Sequence, residues 1–203
     1  MNLVNPFLVS PSQSYLVSED FEGTGTPSGW TASGMTMDDA TTPLVGSKSA
    51  RINNTNAYAY VDFTAQDEVW SFAVYQNNTN VPWVEQLIIA ASDDTVLLSY
   101  GTLFDSQYWC LAPGKLNNSA STNPLGSKVY IWMHYKKGSG SNAEGHIYIS
   151  STTTKPGSPS VSWTDSTATQ QASRFRIKGG GGSEAHQFDY VRVSITAIGD
   201  APA

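Results

Sequence analysis

The feature that most constrains this chain is an alternation of apolar and polar residues that recurs from about residue 15 to residue 195, with no sustained stripe at helical spacing. Alternation of period two is what a half-buried strand requires, because successive side chains leave opposite faces of the pleat. Eleven strands are expected: YLVSEDFE (15–22), KSARINN (48–54), AYAYVDF (57–63), EVWSFAVYQ (68–76), EQLIIAAS (85–92), TVLLSYG (95–101), QYWCLA (107–112), KVYIWMHYKK (128–137), EGHIYIS (144–150), RFRIKG (174–179) and HQFDYVRVSI (186–195). Their separators carry turn chemistry, including Asp93–Asp94 and the four glycines of 179–182. Composition agrees: Ser, Thr and Asn make 57 of 203 residues, alongside 17 Gly and 10 Pro, and these residues compete with or break helices. The expected fold is all-β, an antiparallel β-sandwich of jelly-roll type with no substantial helix. An extended segment 1–14, a sandwich 15–196 and a tail 197–203 make up the expected domain plan.

Several classes are excluded or disfavoured. No apolar run is long enough to cross a bilayer, so no membrane span is expected. The opening MNLVNPFLVSPSQS has neither a basic n-region nor an apolar h-region, so no secretory signal is expected. A single cysteine, Cys110, rules out an intrachain disulfide and reads as a buried thiol. The net charge of −6 argues against a nucleic-acid partner. That charge is unevenly placed: residues 1–127 hold 3 basic and 12 acidic side chains, whereas residues 128–203 hold 8 basic and 5 acidic.

Alternation in the last third gives the candidate site. If the aliphatic residues of each strand line the core, the opposite face receives Tyr130, Trp132, His134, His146, Tyr148, Arg174, Arg176, Tyr190 and Arg192. Aromatic rings stack on sugar rings and Arg, His and Tyr bind their hydroxyl or anionic groups, so this set is expected to contact a glycan or a protein partner. A solvated face or one covered by another segment is the alternative. Asp189 is placed on the core side with Val191 and Val193, opposite Phe188.

Four segments carry a resemblance: VSEDFEGTGTPSGWTASG, LVGSKSARI, KVYIWMHYKKGSGSNAEGHIYIS and RFRIKGGGGSEAHQFDYVRVS. With Asp20, Phe21 and Glu22 at the start, Trp132 in the central hairpin and Asp189, Val191, Arg192 and Val193 at the end, they resemble the concanavalin A-like, laminin-G-like jelly rolls over residues 15–196. No cofactor is required by the sequence. The resemblance implies that a structural calcium could join the first and last strands, with Glu19, Asp20, Glu22 and Asp189 as its ligands. The Glu-x-Asp-x-x-Glu string of a glucanase of this superfamily is absent, as are the Arg-x-Glu and Gln-x-His signatures of its lyases, so no catalytic residues are assigned. The leading expectation is therefore a non-catalytic protein, oligomeric or docked on a larger assembly. Its small size and low-charge surface resemble bacteriophage virion proteins that decorate capsids or tails and adhere to glycans. The second reading is a carbohydrate-binding module or lectin domain of a secreted or cell-surface bacterial protein. The third is a polysaccharide-active enzyme of the same fold.

Overall fold

A computed structural model describes residues 13–52, 54, 56–76, 84–102, 107–122, 126–179 and 186–201. Among these residues the chain is all strand and loop. The fifteen strands are β1 (Val17–Glu19), β2 (Trp30–Ser33), β3 (Met35–Asp39), β4 (Ser49–Ile52), β5 (Tyr58–Gln66), β6 (Glu68–Gln76), β7 (Val84–Ala90), β8 (Val96–Thr102), β9 (Gln107–Ala112), β10 (Lys115–Thr122), β11 (Lys128–Lys136), β12 (Ala143–Ser150), β13 (Val161–Ser166), β14 (Ala172–Lys178) and β15 (Gln187–Ser194).

They form two antiparallel sheets. One has eight strands in the order β13-β12-β11-β6-β15-β4-β3, with β1 also pairing with β15; the other has seven, in the order β10-β9-β8-β7-β14-β5-β2. One continuous core lies between them. It takes alternate residues from each strand, among them Val69, Ala73 and Tyr75 of β6, Ile131, Met133 and Tyr135 of β11, and Phe175 and Ile177 of β14. Burying such a row on each strand fixes the register, since a slip by one residue would turn every apolar side chain outward. All eleven expected strands are present, and four more are added: β2, β3, β10 and β13. Asp38 and Asp39 therefore lie in a strand, and buried Asp39 pairs with Arg51 at 3.2 Å. Cys110 is buried in the core, and burial pushes its thiol pKa far up, so it is inert.

Two local features aim side chains. Tyr190 has a positive φ of 52° at a bulge in β15, where the pairing with β6 steps from Asp189↔Val74 to Arg192↔Phe72. The extra residue changes the alternation expected from sequence. Phe188, Val191 and Val193 share the core, while buried Asp189 accepts a hydrogen bond from Val45 N at 3.0 Å. At the other sheet, Gly179 ends β14 against the chain at 52–57: a Cβ there would come within 2.8 Å of Asn54 O.

Candidate functional site

The nine residues expected to share one face lie on opposite surfaces of the sandwich. Tyr130, Trp132 and His134 on β11, His146 and Tyr148 on β12, and Tyr190 and Arg192 on β15 belong to the eight-stranded sheet. Arg174 and Arg176 belong to β14, at the heart of the seven-stranded sheet. The split follows from strand order, which alternation does not encode.

Much of the eight-stranded surface is covered. Trp132 is 0% exposed, packed with Leu44, Phe72, Val74 and Tyr130 under Ile198 and Ala201 of the carboxy-terminal tail. Its indole N–H donates to Gly199 O at 2.9 Å. The tail is tied down again where Ala201 N donates to Thr153 O at 2.8 Å and Lys155 N donates to Asp200 Oδ1 at 2.8 Å. Lys155 Nζ lies 4.3 Å from the Trp70 ring centroid and 4.2 Å from that of Tyr148, a cation–π contact that holds this loop over the sheet. His134 stacks on Trp70 with centroids 4.2 Å apart, and its Nε2 meets Glu68 Oε1 at 2.8 Å. Burial keeps the His134 pKa below its ordinary value despite that carboxylate. His146 bonds Ser162 Oγ at 2.7 Å. Trp132 and the two histidines thus have structural partners, supplied by the tail and the sheet itself.

The carboxylates expected to hold calcium are occupied locally. Glu19 accepts from Phe21 N at 2.7 Å, Asp20 from Glu22 N at 3.4 Å, and Glu22 from Ser47 N at 2.8 Å and from the Ser47 hydroxyl. Asp189 accepts from Val45 N and, at 2.8 Å, from Tyr190 N. Among the described residues no three His, Cys, Asp or Glu side chains converge to hold a metal ion. Burial, reinforced by nearby Glu22 and Asp20, pushes the Asp189 pKa up to about 7.

The seven-stranded sheet carries an open cleft of about 410 Å³ on its outer face. Phe175 and Ile177 point into the core, so alternation sends Arg174, Arg176 and Lys178 outward in a row. On the neighbouring strand Ala59 and Val61 point inward and present Tyr58, Tyr60 and Asp62. The pairing sets Arg176 opposite Tyr60, Lys178 opposite Tyr58 and Arg174 opposite Asp62. Arg174 is locked: it donates to both oxygens of Asp62 at 2.6 and 2.9 Å and to Asp94 at 2.8 Å, with its guanidinium 3.9 Å from the Tyr60 ring centroid. Those carboxylates hold its pKa above even the usual guanidinium value. Arg176 is freer, with one contact to Asp94 at 3.2 Å and a buried Nε that has no hydrogen-bond partner among the described residues. Asp94, in the β7–β8 turn, has a positive φ of 67° and serves both arginines, a role beyond the turn chemistry its sequence signals. Tyr58 stacks beside Tyr60 with centroids 6.3 Å apart and stays exposed. Sequence reasoning missed Tyr58, Tyr60, Asp62 and Lys178 as a site, although the alternation of AYAYVDF and RFRIKG signals both faces.

No protein-family model matches the sequence, and no curated protein matches it. Solved structures do. The endo-β-1,4-glucuronan lyase of the fungus Trichoderma reesei is 12% identical, with a TM-score of 0.64, over 90% of this chain and 96% of that one. The alginate lyase Aly36B is 10% identical, with a TM-score of 0.57, over 92% and 98%. A sialidase is 11% identical, with a TM-score of 0.63, over 90% of this chain and 18% of its own. At these identities the likeness establishes the jelly-roll β-sandwich. The expectation of a non-catalytic binding protein on a virus particle is corrected here: these neighbours are glycan-active enzymes, they match the third reading, and none of them points to a virion.

Proposed function

We propose that this protein is a polysaccharide-active enzyme that cleaves a uronate-containing glycan by β-elimination in the cleft on the seven-stranded sheet. The observation that carries the proposal is the row Arg174, Arg176 and Lys178 beside Tyr58 and Tyr60. A hydrolase would need two carboxyl groups flanking the scissile bond, one of them holding a proton. At this cleft the carboxylates Asp62 and Asp94 are both taken up by arginines, Asp62 by Arg174 at two oxygens and Asp94 by Arg174 and Arg176, so neither is set across an open site from a second carboxyl group. Elimination makes a different demand. A proton leaves C5 of the uronate, the C4–O4 bond breaks, a C4=C5 double bond forms, and O4 takes up a proton. Charge builds on the carboxylate as C5 loses its proton, and fixed cations that face it stabilise the transition state.

Arg176 and Lys178 are the carboxylate partners in this reading, because each has a single carboxylate contact where Arg174 has three. Tyr58 supplies a phenol that both donates and accepts a proton. Arg174, held by Asp62 and Asp94, positions the Tyr60 ring as a platform for a sugar. A polymeric substrate of this kind meets its enzyme outside the cell, so we place the protein among secreted or cell-surface proteins.

Incubation with glucuronan and with alginate tests the proposal. Product with a C=C bond conjugated to the carboxylate absorbs in the ultraviolet, and its appearance is expected to slow about 100-fold in Arg176→Ala. New reducing ends without that absorbance would replace elimination by hydrolysis, and failure to shorten any uronate polymer would overturn the enzyme reading.

A further inference from the structure

A second groove, of about 330 Å³, lies on the eight-stranded side of the molecule. Its volume falls at the low end of the range for small-ligand sites, about 300–1,000 Å³. Phe72 of β6 and Ile198 of the tail form its apolar part, Tyr190 and Arg192 of β15 and Tyr15 line it, and Asp200 stands at its edge. Three observations set this groove apart from ordinary surface.

The first is charge. Of the chain's four arginines, Arg51, Arg174 and Arg176 each pair with an aspartate, whereas among the described residues no carboxylate lies within ion-pair distance of Arg192. Arg192 is nonetheless fixed, because its Nη1 donates to Glu19 O at 2.7 Å and Val191 O at 2.8 Å. An immobilised guanidinium lacking a counter-charge is a ready partner for an anion. The second is the rings beside it. The guanidinium carbon lies 4.4 Å from the Tyr190 centroid and 5.8 Å from that of Tyr15, and Tyr15 is 36% exposed. The third is backbone. Alternation sets Tyr190 and Arg192 together on the outer face with Val191 in the core, and a bulge with a positive φ at Tyr190 bends the strand at this point. A non-glycine residue in that conformation is strained, and such strain tends to be retained where a side chain has a task.

We propose that this groove is a second glycan-binding site, which takes a uronate residue of a polysaccharide chain. Arg192 receives the carboxylate, Tyr190 and Tyr15 stack on the sugar faces, and Asp200 accepts from sugar hydroxyls. The site lies on the opposite sheet from the cleft, so the same polymer held there raises the effective concentration of its neighbouring segments at the enzyme surface. Binding at this groove requires no chemistry, so it stands whether or not the cleft reading holds.

The test is titration of the full chain with a β-1,4-linked glucuronate tetrasaccharide, followed by chemical-shift perturbation and calorimetry. Cellotetraose serves as the uncharged control, and acetate as the free-anion control. In the Arg176→Ala background, which removes a cleft contact and slows cleavage, the proposal expects uronate binding to persist at the groove and to weaken about tenfold or more when Arg192→Gln or Tyr15→Ala is added, with melting unaltered by Tyr15→Ala. Equal binding of cellotetraose would overturn the role of Arg192. Acetate matching the tetrasaccharide would reduce the site to a bare anion contact and overturn the glycan assignment. Binding already lost in Arg176→Ala itself would place all recognition in the cleft and overturn the second site.

Discussion

At the scale of single residues, Asp189 is the most consequential group outside the cleft. It is fully buried, and its acid stays protonated up to about pH 7, against an ordinary value of 3.8. Between those two values the folded protein holds a proton that the unfolded chain has released, so stability falls as pH rises through that window. The favourable contribution is complete below about pH 4 and lost above about pH 7, on the order of 4 kcal/mol in all. Thermal melts from pH 4.5 to 8 are expected to show that decline, and Asp189→Asn to flatten it. A calcium ion held by Asp20, Glu22 and Asp189 would reverse the sign, because metal ligands must be ionised. Repeating the melts with calcium and with EDTA separates the two cases. This residue also shows a limit of sequence reading. Strict alternation puts Asp189 with Val191, and only the bulge, which no residue type in HQFDYVRVSI signals, reverses it.

At the scale of elements, what alternation found and what it missed divide by position in the sheet. The eleven strands legible in the sequence include every interior strand of both sheets. The four that were missed, β13, β3, β10 and β2, are the four ends of the two sheets. An edge strand has one neighbour and tolerates Ser, Thr, Asn and Asp on faces that an interior strand must bury, so VSWTDS and KLNNSAST carry little apolar signal. The tail was similarly opaque. ITAIGDAPA reads as a plain end, yet Ile198 and Ala201 are buried on Phe72, Tyr130 and Trp132. Alternation correctly turned Trp132 away from the core, and the covering of that face by 196–201 is a tertiary event. Ile198→Ala is expected to destabilise the protein by about 2 kcal/mol, lowering Tm by roughly 4–8 °C for a chain of this size. Fluorescence of the Trp132 environment should shift to the red as the cover loosens. An unchanged melting curve would mean the tail contributes nothing to that face.

At the scale of the whole molecule, the uneven charge and the proposed substrate pull in opposite directions. The net charge of −6 repels a polyanion, whereas the β14 row presents three cations in line on one strand. Which effect governs is a question of range. At physiological salt, charges separated by more than about 8 Å of solvent are largely screened, so the distributed negative charge weakens as a uronate chain approaches. Contacts with Arg176 and Lys178 are made at hydrogen-bond range and retain most of their strength. The sign of the salt dependence then decides between them. If local contacts dominate, raising ionic strength screens the attraction, and KM for a polyuronate rises while kcat is nearly constant. If global repulsion dominated, added salt would lower KM. The first result is expected, and Lys178→Gln should flatten the dependence, because it removes the row's most exposed cation. A KM that falls with salt in both proteins would mean that the cleft's cations do not meet the substrate's carboxylates.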